Sequence, residues 1–99
     1  MGIVSTTSGS IVTLILPDSF DYNYHKQFRE AYKATDGKNS QYIIDMSNTT
    51  YIDSSGLGNL LLLRNHAGDN HSDITIKGAK NEVKKSLFGS NYERLFKIL

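Results

Sequence analysis

Apolar and polar positions follow two different periods along the chain, and each change of period marks an element. Residues 2–7 and 11–16 are β-branched and apolar around Ser8-Gly9-Ser10, which predicts two short antiparallel strands joined by a tight turn. Pro17-Asp18-Ser19 breaks the run. Over residues 22–34 the side chains of Tyr24, Phe28, Ala31 and Tyr32 follow the i, i+4, i+7, i+8 spacing of one helical face, ending near Asp36-Gly37. Gln41-Tyr42-Ile43-Ile44-Asp45-Met46 then reads as a buried strand, bounded by the polar cluster Ser47-Asn48-Thr49-Thr50.

Beyond Tyr51-Ile52 and Asp53-Ser54-Ser55-Gly56, residues 57–67 predict a second helix, with apolar side chains at 57, 60, 61 and 67. Gly68 stands where a helix C-terminus favours positive φ. Ile74-Thr75-Ile76 alternates into a strand, residues 82–88 predict a third helix stopped by Gly89-Ser90-Asn91, and residues 95–99 form an apolar terminal strand. The expected order is β-β-α-β-α-β-α-β. Strands that alternate with helices imply right-handed crossovers, so the expectation is an α/β fold with a mostly parallel mixed sheet and helices largely on one face. No repeat or linker interrupts residues 1–99, which read as a single domain.

Composition narrows the function classes. The chain of 99 residues carries 11 basic and 10 acidic side chains, a formal net charge of +1, with no Lys/Arg block of the kind that grips phosphates, so a nucleic-acid partner is not expected. Without cysteine there is no disulfide, thiolate metal site or Cys nucleophile. The apolar run 11–16 is too short to span a bilayer, and no Lys or Arg precedes it as in a secretory leader. The mature protein is therefore expected to begin at or near Met1 and to be cytoplasmic. Met1-Gly2-Ile3-Val4-Ser5-Thr6 fits a loose myristoylation pattern, but that pattern is short and the start of a strand is the preferred reading of the same residues, and the sequons at Asn48 and Asn70 have no meaning without secretion.

Asp53-Ser54-Ser55-Gly56 is the segment with chemical content. Its plain reading is helix capping: Asp or Ser accepts hydrogen bonds from the open N–H groups of the first turn, worth about 1 kcal/mol. A serine there is also well placed for phosphorylation, because those N–H groups and the positive end of the macrodipole tolerate a phosphate. The modification adds about −1.5 to −2 charges beside Asp53, taking the whole chain from +1 to between about −0.5 and −1. A partner surface packed on that helix end would meet repulsion.

Ile43-Ile44-Asp45-Met46, then Tyr51-Ile52-Asp53-Ser54-Ser55-Gly56-Leu57-Gly58, the leucine-rich helix and Ala67-Gly68 resemble the signature of STAS domains, specifically the bacterial anti-sigma-factor antagonists. Ser19-Phe20-Asp21 resembles the family's short acidic turn before the first helix. The resemblance implies partner switching: the unphosphorylated domain binds an anti-sigma-type serine kinase, phosphorylation ends the competition, and a PP2C-type phosphatase restores it. It maps the modified residue to Ser54, and the partner surface to Asp53, Ser54, Ser55, Gly56, Leu57, Gly58 and Asp21. The alternative within the same family is a constitutive subunit of a transporter or other complex that is never phosphorylated. Gly58 has its own rationale, since a glycine inside a helix costs about 1 kcal/mol relative to Ala and is tolerated for close backbone approach.

The sequence departs from the family pattern in three places. Asn59 replaces a usual apolar residue, Gly89-Ser90-Asn91-Tyr92-Glu93-Arg94 replaces a Ser-Gly-Leu turn, and the chain stops where the family usually adds a final helix. The last departure is expected to leave apolar sheet surface open to another protein. Leu62 and Leu63 are singled out for the same reason: leucines at 60–63 cover more of the helix circumference than one buried face requires, unless the helix is wedged into the core.

Other chemistries are poorly supported. His66 and His71, near Asp69 and Asp73, lack the i, i+4 spacing of helical metal ligands, and His25 has no evident partner. A hydrolase built on Ser54 or Ser55 would need a base and an oxyanion hole, but no G-x-S-x-G motif is present. Phosphate-binding loops are absent, so no nucleotide or other cofactor is expected.

Overall fold

The opening hairpin forms as the pattern predicts. Strand β1 (Val4–Ser8) pairs antiparallel with β2 (Ile11–Ile15) in an unbroken register from Val4↔Ile15 to Ser8↔Ile11. Gly9 supplies the turn with a φ of 60°, the positive value that a two-residue hairpin loop demands at its first position. The structure, a computed structural model, describes residues 2–99.

The next elements are β3 (Ser19–Phe20), a 3-10 turn (Tyr22–Tyr24), α1 (His25–Tyr32), β4 (Gln41–Asp45), β5 (Tyr51–Ile52) and α2 (Ser54–His66). They are followed by β6 (Ile74–Lys77), α3 (Asn81–Gly89), a 3-10 turn (Tyr92–Arg94) and β7 (Lys97–Ile98). The main sheet has the order β1-β2-β4-β6-β7, antiparallel at the hairpin and parallel elsewhere, while β3 and β5 form a separate parallel pair. This is the expected α/β architecture, with a mixed sheet and three helices.

Period-2 burial drives it. Val12, Leu14, Tyr42, Ile44, Ile74 and Ile76 point into the core, where they meet Phe28 and Tyr32 of α1, Leu60 and Leu63 of α2, and Val83 and Leu87 of α3. Each fully buried aliphatic or aromatic side chain contributes about 1.5–3 kcal/mol. Phe20 packs edge-on against Phe28 with ring centroids 5.0 Å apart, and Phe28 against Tyr32 at 5.4 Å, so β3 and α1 are fixed to each other. On the opposite face of the sheet Ile11 is exposed and Ile15 and Ile43 are half-buried.

Several boundaries move for local reasons. The first helix starts as a 3-10 turn, because the Asp21 side chain caps it by accepting from the Asn23 N–H at 3.0 Å. Helix α2 begins at Ser54 rather than 57, because Asp53 is its N-cap. The expected terminal strand shrinks to two residues, since Asn91, at φ 61°, turns the chain into the 3-10 turn before β7. The leucine run is corrected as well: Leu63 is fully buried, and the two that face outward are Leu61 and Leu62, 41% and 48% exposed.

Candidate functional site

Strands β3 and β5 lie in register, Ser19 beside Tyr51 and Phe20 beside Ile52, so the residues that follow each strand emerge together. Side-chain and backbone ties hold this pair. Thr49 Oγ1 donates to the Pro17 carbonyl at 2.8 Å, and the Thr50 N–H to the Asp18 carbonyl at 2.7 Å. Asp21 follows β3 and Asp53 follows β5, and both carboxylates work as caps. Asp21 accepts from Ser19 Oγ at 2.9 Å besides the Asn23 N–H. Asp53, in extended conformation at φ −105°, accepts from the Gly56 N–H at 2.8 Å, and its carbonyl accepts from the Leu57 N–H at 3.0 Å.

The cap sets the phase of α2. Ser54, the first helical residue, is exposed, whereas Ser55 is half-buried and Gly56 is buried. A Cβ at Gly56 would overlap the Phe20 carbonyl oxygen and come within 2.7 Å of Ile52 Cγ1, so only glycine lets the helix seat on the β3–β5 pair. The close approach expected at Gly58 is therefore found at Gly56. Among the described residues nothing beyond the chain neighbours and the helix's own backbone lies within 4 Å of a Cβ built on Gly58, which leaves an open notch on the outer side of the helix. Leu57 is half-buried, and its carbonyl accepts from the Tyr92 O–H at 2.8 Å. Burial raises the Tyr92 pKa, which keeps that donor protonated.

Beside the notch lies a groove of about 390 Å³ lined by Tyr22, His25, Ser55, Gly58, Asn59 and Leu62. Four of these, Ser55, Gly58, Asn59 and Leu62, form an i, i+3, i+4, i+7 stripe on α2. His25 does have a partner: its Nδ1 lies 2.8 Å from Asn59 Oδ1, across the α1–α2 contact. The Tyr22 ring stacks parallel to the imidazole at 6.3 Å and is 71% exposed. Asn59 is 3% exposed, and among the described residues its Nδ2 has no hydrogen-bond partner. The departure at 59 is thus a buried polar group tied to the start of α1.

Sequence reasoning gathered Asp21, Asp53, Ser54, Ser55, Gly56, Leu57 and Gly58, and the fold brings all of them to one end of the molecule. It missed Tyr22, His25 and the outward Leu61, and it had named Asn59 only as a departure and Leu62 only as exposed surface, although the stripe of four on α2 was readable once the helix was started at Ser54. Among the described residues neither Ser54 nor Ser55 hydrogen-bonds a histidine, so no nucleophile–base contact is formed. His66 is committed elsewhere, with Nε2 3.0 Å from the Thr35 carbonyl. The described residues hold no group of three or more His, Cys, Asp or Glu placed to bind a metal ion, and no helix among them is long and apolar enough to cross a membrane.

Comparison with known proteins follows the same lines. A family model described as Mlab, STAS domain, matches residues 5–96. A STAS-domain containing protein of Pseudomonas aeruginosa is 42% identical over 93 residues, covering 94% of this chain and 92% of the relative. An anti-sigma factor antagonist from Mycobacterium paratuberculosis superposes with a TM-score of 0.81 at 12% identity, over 97% of this chain and 82% of that one. The Bacillus cell fate determinant SpoIIAA in its phosphorylated form gives 0.72 at 14% identity, over 99% and 91%. A sulfate transporter family protein from Wolinella succinogenes gives 0.74 at 10% identity, over 93% and 80%.

Proposed function

The chain belongs to the STAS domain family, and on that premise we propose that it is a protein-binding regulator controlled by phosphorylation of Ser54. The observation that carries the proposal is the exposed Ser54 at the first position of α2, one turn before the Gly58 notch and on the helix that carries the exposed Leu61 and Leu62, with the exposed Tyr22 across the groove that Ser55 lines. Apolar side chains around a modifiable hydroxyl make a surface that binds when neutral and repels when charged. The likeness to a Bacillus protein studied in a phosphorylated form supports the same reading.

In this scheme the partner is an anti-sigma-type serine kinase, held while Ser54 is unmodified and released when Ser54 carries phosphate, and a PP2C-type phosphatase resets the cycle. Asp53, Ser54, Ser55, Leu57 and Gly58 form the contact surface, and Gly56 and Asp21 set its shape. The chain binds rather than catalyses, needs no cofactor and acts in the cytoplasm as a single domain over 1–99.

Ser54→Ala and Ser54→Asp baits, compared side by side in cell extract with partners identified by mass spectrometry, test the proposal. A serine kinase retained by Ser54→Ala and lost by Ser54→Asp, which phosphorylates the wild type once and Ser54→Ala not at all, is the expected result. The sulfate-transporter likeness favours one competing reading, a constitutive subunit of a larger complex. Identical partners for both baits, with no phosphorylated species in the protein isolated from cells, would establish that reading instead.

A further inference from the structure

Strand β1 is an open edge of the main sheet, and all five of its residues are exposed. Proteins usually protect such an edge with charge, proline, a bulge, shortness or a covering segment. Among the described residues none of these operates along Val4–Ser8. The first charged residue of the chain is Asp18, the only proline is Pro17, and the register with β2 runs without a bulge. The opposite edge is different: β7 has two residues, one of them Lys97.

The hairpin geometry identifies the free groups. In a two-residue hairpin the flanking pair, Ser8 and Ile11, exchanges hydrogen bonds, and alternate residues along the strand turn their backbone groups to the other side. Ser5 and Thr7 therefore face outward. Ile3, next in that alternation, has its N–H taken by Gln27 Oε1 at 2.7 Å, which closes the edge at that end.

We propose that β1 pairs antiparallel with β1 of a second copy of this chain, joining two five-stranded sheets into one across a two-fold axis at Thr6. The sequence Val4-Ser5-Thr6-Thr7-Ser8 is self-complementary in that register. Ser5 exchanges hydrogen bonds with Thr7 of the other copy, and Thr7 with its Ser5, roughly four backbone bonds in all. Thr6 lies opposite its own counterpart in a non-hydrogen-bonded pair, a favourable Thr–Thr neighbour, and Val4 lies opposite Ser8 with no like charge opposed. The strand's lack of charge selects this occupant, because a charged partner strand would gain no ion pair at this edge.

The contact is short, so the association is weak and concentration-dependent. None of the residues assigned to the Ser54 surface lies on β1, so the dimer carries two such surfaces, and the inference stands independently of the phosphorylation reading.

Sedimentation of the purified chain from about 10 µM to about 1 mM tests it. The wild type is expected to rise from 11.1 kDa toward twice that mass. Thr6→Lys, which sets two ammonium groups at the axis, and Thr7→Pro, which removes an outward N–H, should stay monomeric while retaining the wild-type circular dichroism spectrum. The cysteine-free chain allows a second readout. Thr6→Cys should oxidise rapidly to a covalent dimer, since Cα atoms about 4.5 Å apart suit a disulfide, and Ser8→Cys, opposite Val4, should not. A wild type that stays monomeric throughout, or a dimer that Thr6→Lys leaves intact, overturns the proposal.

Discussion

Gly56 rests directly on the carbonyl oxygen of Phe20, and this contact seats the DSSG helix beside the Asp21 turn. It also separates two glycines that look alike in sequence. At Gly56 a methyl group collides with backbone, which cannot move aside cheaply, so Gly56→Ala should destabilise the fold by about 1–3 kcal/mol. At Gly58 the methyl group enters open space in a helix interior, so Gly58→Ala should stabilise by about 0.5–1 kcal/mol. Urea unfolding of both variants checks the opposite signs. Gly58→Ala should also weaken partner binding without loss of stability, because it fills the notch beside Ser54.

The Asp53 carboxylate makes one local bond, to the Gly56 N–H, and its substitutions should follow capping chemistry. Asp53→Ala is expected to cost about 1 kcal/mol, and Asp53→Asn or Asp53→Ser a few tenths, since both keep an acceptor oxygen at the N-cap. Thermal melts of the three variants in parallel give the order. If Asn proves as costly as Ala, the carboxylate charge rather than the cap is what the fold uses.

His25 and Asn59 form the polar link between α1 and α2, and it is an incompletely satisfied one. Removing the ring alone leaves the buried Asn59 amide without any partner, so His25→Ala should destabilise by about 1–3 kcal/mol. Asn59→Leu replaces a buried polar group of similar volume with the apolar type expected at that position, and should be neutral or stabilising. A double-mutant cycle measured by chemical denaturation tests the asymmetry. Equal losses for the two single variants would mean that the bond itself, and not the orphaned amide, dominates.

This pair shows what a single sequence conceals. Residues 25 and 59 are 34 positions apart, and no local period announces that a histidine at the start of one helix meets an asparagine on the second turn of another. The hairpin, β4 and the three helices were legible because burial imposes periods of 2 and 3.6 on runs long enough to display them. Strands β3 and β5 have two residues each, too few to display a period, and their pairing rests on the Thr49 and Thr50 ties to Pro17 and Asp18. The DSSG cap was legible from residue type alone. Which leucines face outward was not, because a phase error of one residue rotates the helix by about 100°.

Asp45 ends β4, and its Oδ1 accepts from the Ser47 hydroxyl at 2.6 Å and the Ser47 N–H at 2.9 Å. The side-chain bond is the main cause holding its pKa below the ordinary 3.8. A carboxylate whose folded pKa is depressed stabilises the fold above its unfolded pKa, and that contribution is lost as the pH falls through the folded value. Ser47→Ala should therefore be less stable than wild type at pH 7, with the difference shrinking progressively below 3.8. Denaturation midpoints measured at both ends of this range decide it, and a difference that is independent of pH would assign the effect to packing.

Phosphate at Ser54 is expected to change the surface and leave the fold intact. The residue is exposed, stands at the first position of a 13-residue helix and donates no hydrogen bond on which the core depends. The positive end of the macrodipole favours the added charge by about 0.3–1 kcal/mol at low salt, and the Asp53 carboxylate next to it opposes that gain. The net effect on stability should accordingly fall within about 1 kcal/mol of zero, becoming smaller as salt screens both terms. Protein carrying phosphoserine at 54, made by amber suppression, can be compared with wild type by thermal melting and amide chemical shifts. The shifts should change at residues 53–58 and around Tyr22 and His25 while the core amides of β2, β4 and β6 stay in place. Broad changes across those strands would show that modification acts through unfolding of α2, and the charge would then release a partner by removing its docking helix rather than by repelling it.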